Sequence, residues 1–149
     1  MSVCFKPRRA AGFTLIELMV TLVVAAILIS IAIPSYQSQV RKSRRTEARN
    51  AVMDLAAREE RYYSVNNSYT NLALQLGYGQ DNAAISDRSI GSGYYTVSVN
   101  LTAAAPPAHA GFQIIAKAVG TQAKDKACQQ FAVDDIGTQT SLPSTDCWN

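Results

Sequence analysis

The chain has 149 residues, 48% of them apolar and 17% charged, a balance that describes a folded protein and excludes a disordered one. That length fits one domain plus a membrane segment. The net charge of +3 sets 14 basic side chains against 11 acidic ones, and Lys6, Arg8 and Arg9 at the amino terminus account for the whole excess. The total therefore gives no argument for a nucleic acid or an anionic surface as partner.

Behind that basic trio lies an apolar run from Phe13 to Ile33 in which Glu17 is the one charged residue. A helix of about 20 residues rising about 1.5 Å per residue just crosses a hydrocarbon core roughly 30 Å thick. Lys6, Arg8 and Arg9 form the positive flank that holds an amino terminus in the cytoplasm. A lone carboxylate inside such a span costs about 2.5–3.5 kcal/mol by insertion scales, so Glu17 needs a partner.

Gly12-Phe13-Thr14-Leu15-Ile16-Glu17 resembles the processing site of type IV prepilins: a short basic leader, a glycine, a phenylalanine and then a glutamate. The likeness continues through the apolar run to Pro34-Ser35-Tyr36. It implies that an aspartic prepilin peptidase cuts between Gly12 and Phe13 and methylates the new amine of Phe13. It also implies that Glu17 pairs with the terminal amine of a neighbouring subunit's Phe13 during assembly. The fold implied is α+β: a long N-terminal helix packed on a three- or four-stranded antiparallel sheet, with a disulfide-closed C-terminal region. Other pilin subunits, the peptidase and a pilus assembly platform become the expected partners, and no cofactor is called for.

Rival readings of the amino terminus fit less well. A secretory signal would be cut after Ala32, with Ser30 and Ala32 as its small residues, but Glu17 inside the run and Pro34 just beyond the cut oppose it. Lipoprotein processing needs its cysteine after the run, and Cys4 precedes it. Arg8-Arg9 as a bare pair is an ordinary positive flank. Loss of the leader would discard Cys4 and leave Cys128 and Cys147, whose place near the end of an exported chain suggests a disulfide. Closing that loop restricts the unfolded chain by roughly 3 kcal/mol on the entropic account.

Pro34 would kink a helix or remove one of its hydrogen bonds, yet helix-compatible sequence resumes at once. No Gly or Pro occurs from Val40 to Tyr63, and apolar residues at 48, 51, 52, 55 and 62 form the stripe of an amphipathic helix with one buried face. Asp54 precedes Arg58 by one turn, the better order for such a pair. One helix is thus expected from Phe13 to about Asn66. The division of the chain is a leader over 1–12, a membrane and filament-core helix over 13–40, and an exported head over 41–149.

Arg41, Lys42, Arg44, Arg45 and Arg49 cluster just past the span. Arg41, Arg45 and Arg49 share a helical stripe that could follow a phosphate backbone. Blander uses are contact with lipid head groups or with acids of neighbouring subunits. Cations on the outer side also run against the positive-inside bias.

Asn66-Asn67 suits a helix end, and the Arg-Glu-Glu-Arg-Tyr-Tyr and Asn-Asn-Ser-Tyr-Thr segments of residues 58–70 resemble the PilE-like branch of pilins. Leu72 to Leu76 is read as a helical turn and 77–93 as a loop. Strands are expected over Tyr94–Leu101, with Tyr95, Val97, Val99 and Leu101 on one face, over Gly111–Val119 and over Cys128–Asp134. In the last, Cys128, Gln130, Ala132 and Asp134 should face away from Phe131 and Val133. Thr138 to Ser141 could add a short fourth strand after the Asp135-Ile136-Gly137 turn.

Catalytic chemistry is hard to find. His109 stands alone in an Ala-Pro loop, no cluster has zinc spacing, and Cys128 and Cys147 are too far apart for a C-x-x-C redox pair. Asp81, Asn82 and Asp87 do not follow a calcium-loop pattern, and two short sequon matches, at Asn66 and Asn100, are near chance expectation. The sequence reads as a structural subunit of a type IV pilus, held in the inner membrane with its head in the periplasm and then assembled into the extracellular filament. The PilE-like segments lean toward a minor pilin. A DNA-uptake pilin and a type II secretion pseudopilin are the alternatives.

Overall fold

The computed structural model of the chain describes residues 12–102 and 110–148. Most of the leader, with Cys4, Lys6, Arg8 and Arg9, and the loop holding Pro106, Pro107 and His109 lie outside the described residues. The chain divides into two compact units, Met1–Gln39 and Val40–Asn149.

A single helix, α1 (Leu15–Asn66, 52 residues), contributes to both units. It starts after Thr14, not at Phe13, because the Thr14 hydroxyl oxygen accepts the Glu17 backbone N–H at 3.3 Å and caps the first turn. Pro34 lies inside the helix. The far end stops at Asn67, whose φ of 53° is left-handed and whose N–H reaches the Tyr63 carbonyl at 2.8 Å.

In the first unit every described residue is exposed, apolar side chains included. Backbone bonding is satisfied within the helix, and its described side chains are bare. The stretch is long and apolar enough to cross a membrane.

The second unit is built on a five-stranded antiparallel meander in the order β1-β2-β3-β4-β5. Its strands are β1 (Arg88–Ile90), β2 (Tyr95–Thr102), β3 (Gly111–Ala118), β4 (Cys128–Asp134) and β5 (Gln139–Pro143), with a short 3₁₀ helix (Gly120–Lys124) between β3 and β4. Ala48, Val52 and Leu55 of α1 are fully buried in one cluster with Val97, Ile114, Ala116 and Phe131 of the sheet. Each large apolar side chain so buried contributes about 1.5–3 kcal/mol.

Three expectations about the sheet need correction. The sheet has five strands, not three or four, because Arg88-Ser89-Ile90 pairs with β2 inside the stretch that reads as loop. Its anchors are Ile85 and Ile90, both buried. Leu101 does not share the buried face of Tyr95, Val97 and Val99; it is 45% exposed, since β2 runs on past the core. Cys128 is not opposed to Phe131 and Val133 but buried with them. A bulge between Cys128 and Gln130 sets one extra β4 residue against β5, which displaces the alternation by one and turns the cysteine inward.

Candidate functional site

The amino-terminal end of the described chain is open. Gly12 precedes the helix with nothing within 4 Å of where a Cβ would sit, and Phe13 is 78% exposed. One turn further on, Glu17 lies exposed among bare apolar side chains, and among the described residues no cation pairs with it.

The basic cluster opens the head's part of α1 and is divided in its use. Arg45 forms a two-pronged pair with Asp125, Nε to Oδ2 and Nη2 to Oδ1, both at 2.7 Å. Burial by itself would push the Asp125 carboxyl up. The Arg45 guanidinium and the backbone N–H groups of Ala127 and Cys128 outweigh it and hold the group below the usual carboxylate range. Arg44 lies over the Tyr94 ring at 3.3 Å from its centre, and Arg49 donates to the Trp148 carbonyl at 2.8 Å. Lys42 is exposed, and Arg41, half-buried, gives its carbonyl to the buried Gln122 amide at 3.4 Å. Of the stripe that could follow a phosphate backbone, Arg45 and Arg49 are thus bound within the head.

Cys128 and Cys147 are disulfide-bonded, with their Cα atoms 5.8 Å apart. The bond holds the terminal segment where Trp148 meets the edge of Phe131 at 5.7 Å between ring centres and donates its indole N–H to the Thr140 carbonyl at 2.8 Å. Asp54 and Arg58 pair at 2.8 Å as their spacing predicts.

Two acids escaped the sequence reading. Glu59 is fully buried; its Oε2 accepts the Thr70 N–H at 3.2 Å, and among the described residues its Oε1 has no partner. Burial, against the lowering pull of Thr70 and with some help from Glu60, pushes its carboxyl up to about 7. The signal was present: positions 48, 52, 55 and 59 continue one helical stripe. Glu47 accepts both the N–H and the hydroxyl of Ser92 at 2.6 Å, seating the β1–β2 turn on α1. Among the described residues no group of three His, Cys, Asp or Glu could hold a metal ion.

A bare apolar helix in one unit and a disulfide-closed head of helix on antiparallel sheet in the other define a class, the type IV pilins, and comparison with known proteins agrees. Residues 7–33 match the prokaryotic N-terminal methylation motif, and residues 34–132 match the family described as type IV minor pilin ComP, DNA uptake sequence receptor. That second match covers more than half of the chain, and the chain belongs to this family of type IV pilins. It is similar to the major pilin PilA of Myxococcus xanthus strain DK1622 (32% identity over 77 residues, 52% of this chain and 34% of that one). It is also similar to the fimbrial protein EcpC of Eikenella corrodens (36% over 93 residues, 62% of this chain and 55% of that one). The matched segments thus span about a third and about half of these relatives. Among solved structures, a type IV pilin from Shewanella oneidensis aligns with a TM-score of 0.48 and 25% identity, over 73% of this chain and 98% of that one.

Proposed function

We propose that the chain is made as a prepilin, cut between Gly12 and Phe13, methylated on Phe13 and held in the inner membrane with its head in the periplasm. From there it joins a pilus beside other pilin subunits, as a minor pilin and without enzymatic activity of its own. The observation that carries this reading is the first unit, an apolar helix wholly exposed in the single chain, with one carboxylate and no cation paired to it among the described residues. Moving from lipid into a bundle of like helices lets that surface stay out of water throughout. Glu17 gains the terminal amine of a neighbour's Phe13, which offsets the cost of its burial and sets the register of the incoming subunit.

Glu17→Ala tests the pairing. The variant is expected in the membrane at normal abundance, with its share of sheared filaments reduced at least about tenfold, the loss of roughly one charge-assisted contact. Normal incorporation would refute the pairing, and a mature chain beginning at Ile33 would refute the processing.

DNA contact is the second reading, favoured by the family's description as a DNA uptake sequence receptor. Arg41 of the stripe and Lys42 beside it are the candidates for it, with Arg45 and Arg49 bound within the head. Full-length protein in neutral micelles should then bind duplex DNA with an affinity that falls steeply with salt. No binding in dilute buffer would end this reading and leave the filament reading intact.

A further inference from the structure

Arg45 is paired with a buried acid, Asp125. Asp125 is 5% exposed and both of its oxygens face the Arg45 guanidinium. Its two sequence neighbours, Lys124 and Lys126, are exposed. The buried Gln122 amide fastens the same turn to the first helical turn of the head, donating to the Arg41 carbonyl, the Tyr95 hydroxyl and Asp125 Oδ2 at 3.4, 3.3 and 3.2 Å. The 3₁₀ turn and the start of the head's helix are therefore locked together. Among the described residues no carboxylate pairs with Arg41, Lys42, Lys124 or Lys126. The nearby Glu47 is occupied by Ser92.

We propose that Arg41, Lys42, Lys124 and Lys126 form a docking surface for the phosphate head groups of anionic phospholipids, engaged while the subunit waits in the membrane. Three features select this partner. Arg41 follows the apolar run by only a few residues, a stretch that no chain conformation extends beyond about 30 Å, so the cations are confined to the neighbourhood of the bilayer surface. Cations just outside a span oppose the positive-inside tendency, and among the described residues no ion pair in the head engages Arg41, Lys42, Lys124 or Lys126. Lysines dominate the free set, and a lysine ammonium meets phosphate as a mobile point charge suited to a fluid layer of head groups. Such contacts would hold the head against the surface until assembly withdraws the subunit.

The inference rests on the apolar run lying in the bilayer, and its test separates the two. Full-length protein is reconstituted into vesicles of phosphatidylcholine alone or mixed with phosphatidylglycerol, and amide hydrogen exchange is followed over residues 120–127. Phosphatidylglycerol is expected to slow exchange there on the order of tenfold, with high salt reversing the effect. Lys42→Gln/Lys124→Gln/Lys126→Gln should abolish it without changing exchange in the core strands. Equal exchange in both vesicle types, with the protein inserted, overturns the docking surface and leaves the anchor standing. Protein that floats with neither vesicle overturns both. Slowing by added duplex DNA in neutral vesicles, with none from phosphatidylglycerol, overturns the lipid partner in favour of DNA.

Discussion

Glu59 occupies a position where the helix stripe calls for an apolar side chain, fully buried with one oxygen bonded to the Thr70 N–H and the other unpartnered. Its carboxyl is pushed from the ordinary 4.5 to about 7, so the folded state takes up a proton that the unfolded state has released across that interval. The stabilisation is complete below the unfolded value, falls as pH rises through the folded value and is flat above it. At about 1.4 kcal/mol per unit, the span between those limits is on the order of 3 kcal/mol. Glu59→Gln keeps the shape and removes the charge. It should equal the parent near pH 4.5 and exceed it by about 3 kcal/mol at pH 8, as urea midpoints would report. A parent stability that does not decline from pH 5 to pH 8 would show the side chain to be solvated. Periodicity reads positions 48, 52 and 55 as core, and position 59 continues that stripe; an acid there reads as its end only if residue type is allowed to override position.

At the scale of elements, the joint between helix and sheet at the β1–β2 turn depends on Glu47. Its carboxylate takes both donors of Ser92, and Gly91, at a φ of 44°, leaves it the space: a Cβ there would overlap the carboxylate. Gly91→Ala should cost about 2 kcal/mol, part left-handed strain and part displaced carboxylate. In a Glu47→Ala background the same change should cost only the strain, about 1 kcal/mol. Fully additive penalties in denaturant titrations would mean that the two residues act separately. None of this was legible beforehand, because α1, β2, β3 and β4 announce themselves by a sustained period whereas β1 has three residues, two of them polar. The same limit hid the bulge in β4, since a strict alternation places Cys128 outside and only the extra residue brings it in. What could be read early was chemistry that sequence neighbours settle among themselves, such as the Asp54–Arg58 pair and the Asn67 helix stop.

For the whole molecule, the two units draw their stability from different sources. The head has its own apolar core and a disulfide joining Cys128 to Cys147 across 19 residues. Among its described residues the first unit buries no side chain; its helix is held by its own backbone bonds and by whatever apolar medium surrounds it. Urea acting on the protein in detergent micelles should therefore remove the near-ultraviolet signal of Tyr95, Phe131 and Trp148 in one transition. Far-ultraviolet helicity should fall only part of the way, because roughly half of the 52-residue α1 belongs to the micelle-bound unit. Reducing the disulfide should lower the head's stability by about 3 kcal/mol, the loop-closure term for a ring of this size, and leave the residual helicity where it was. Loss of all helicity in the same transition as the aromatic signal would mean that α1 melts as one body and that the two units share a single cooperative fold.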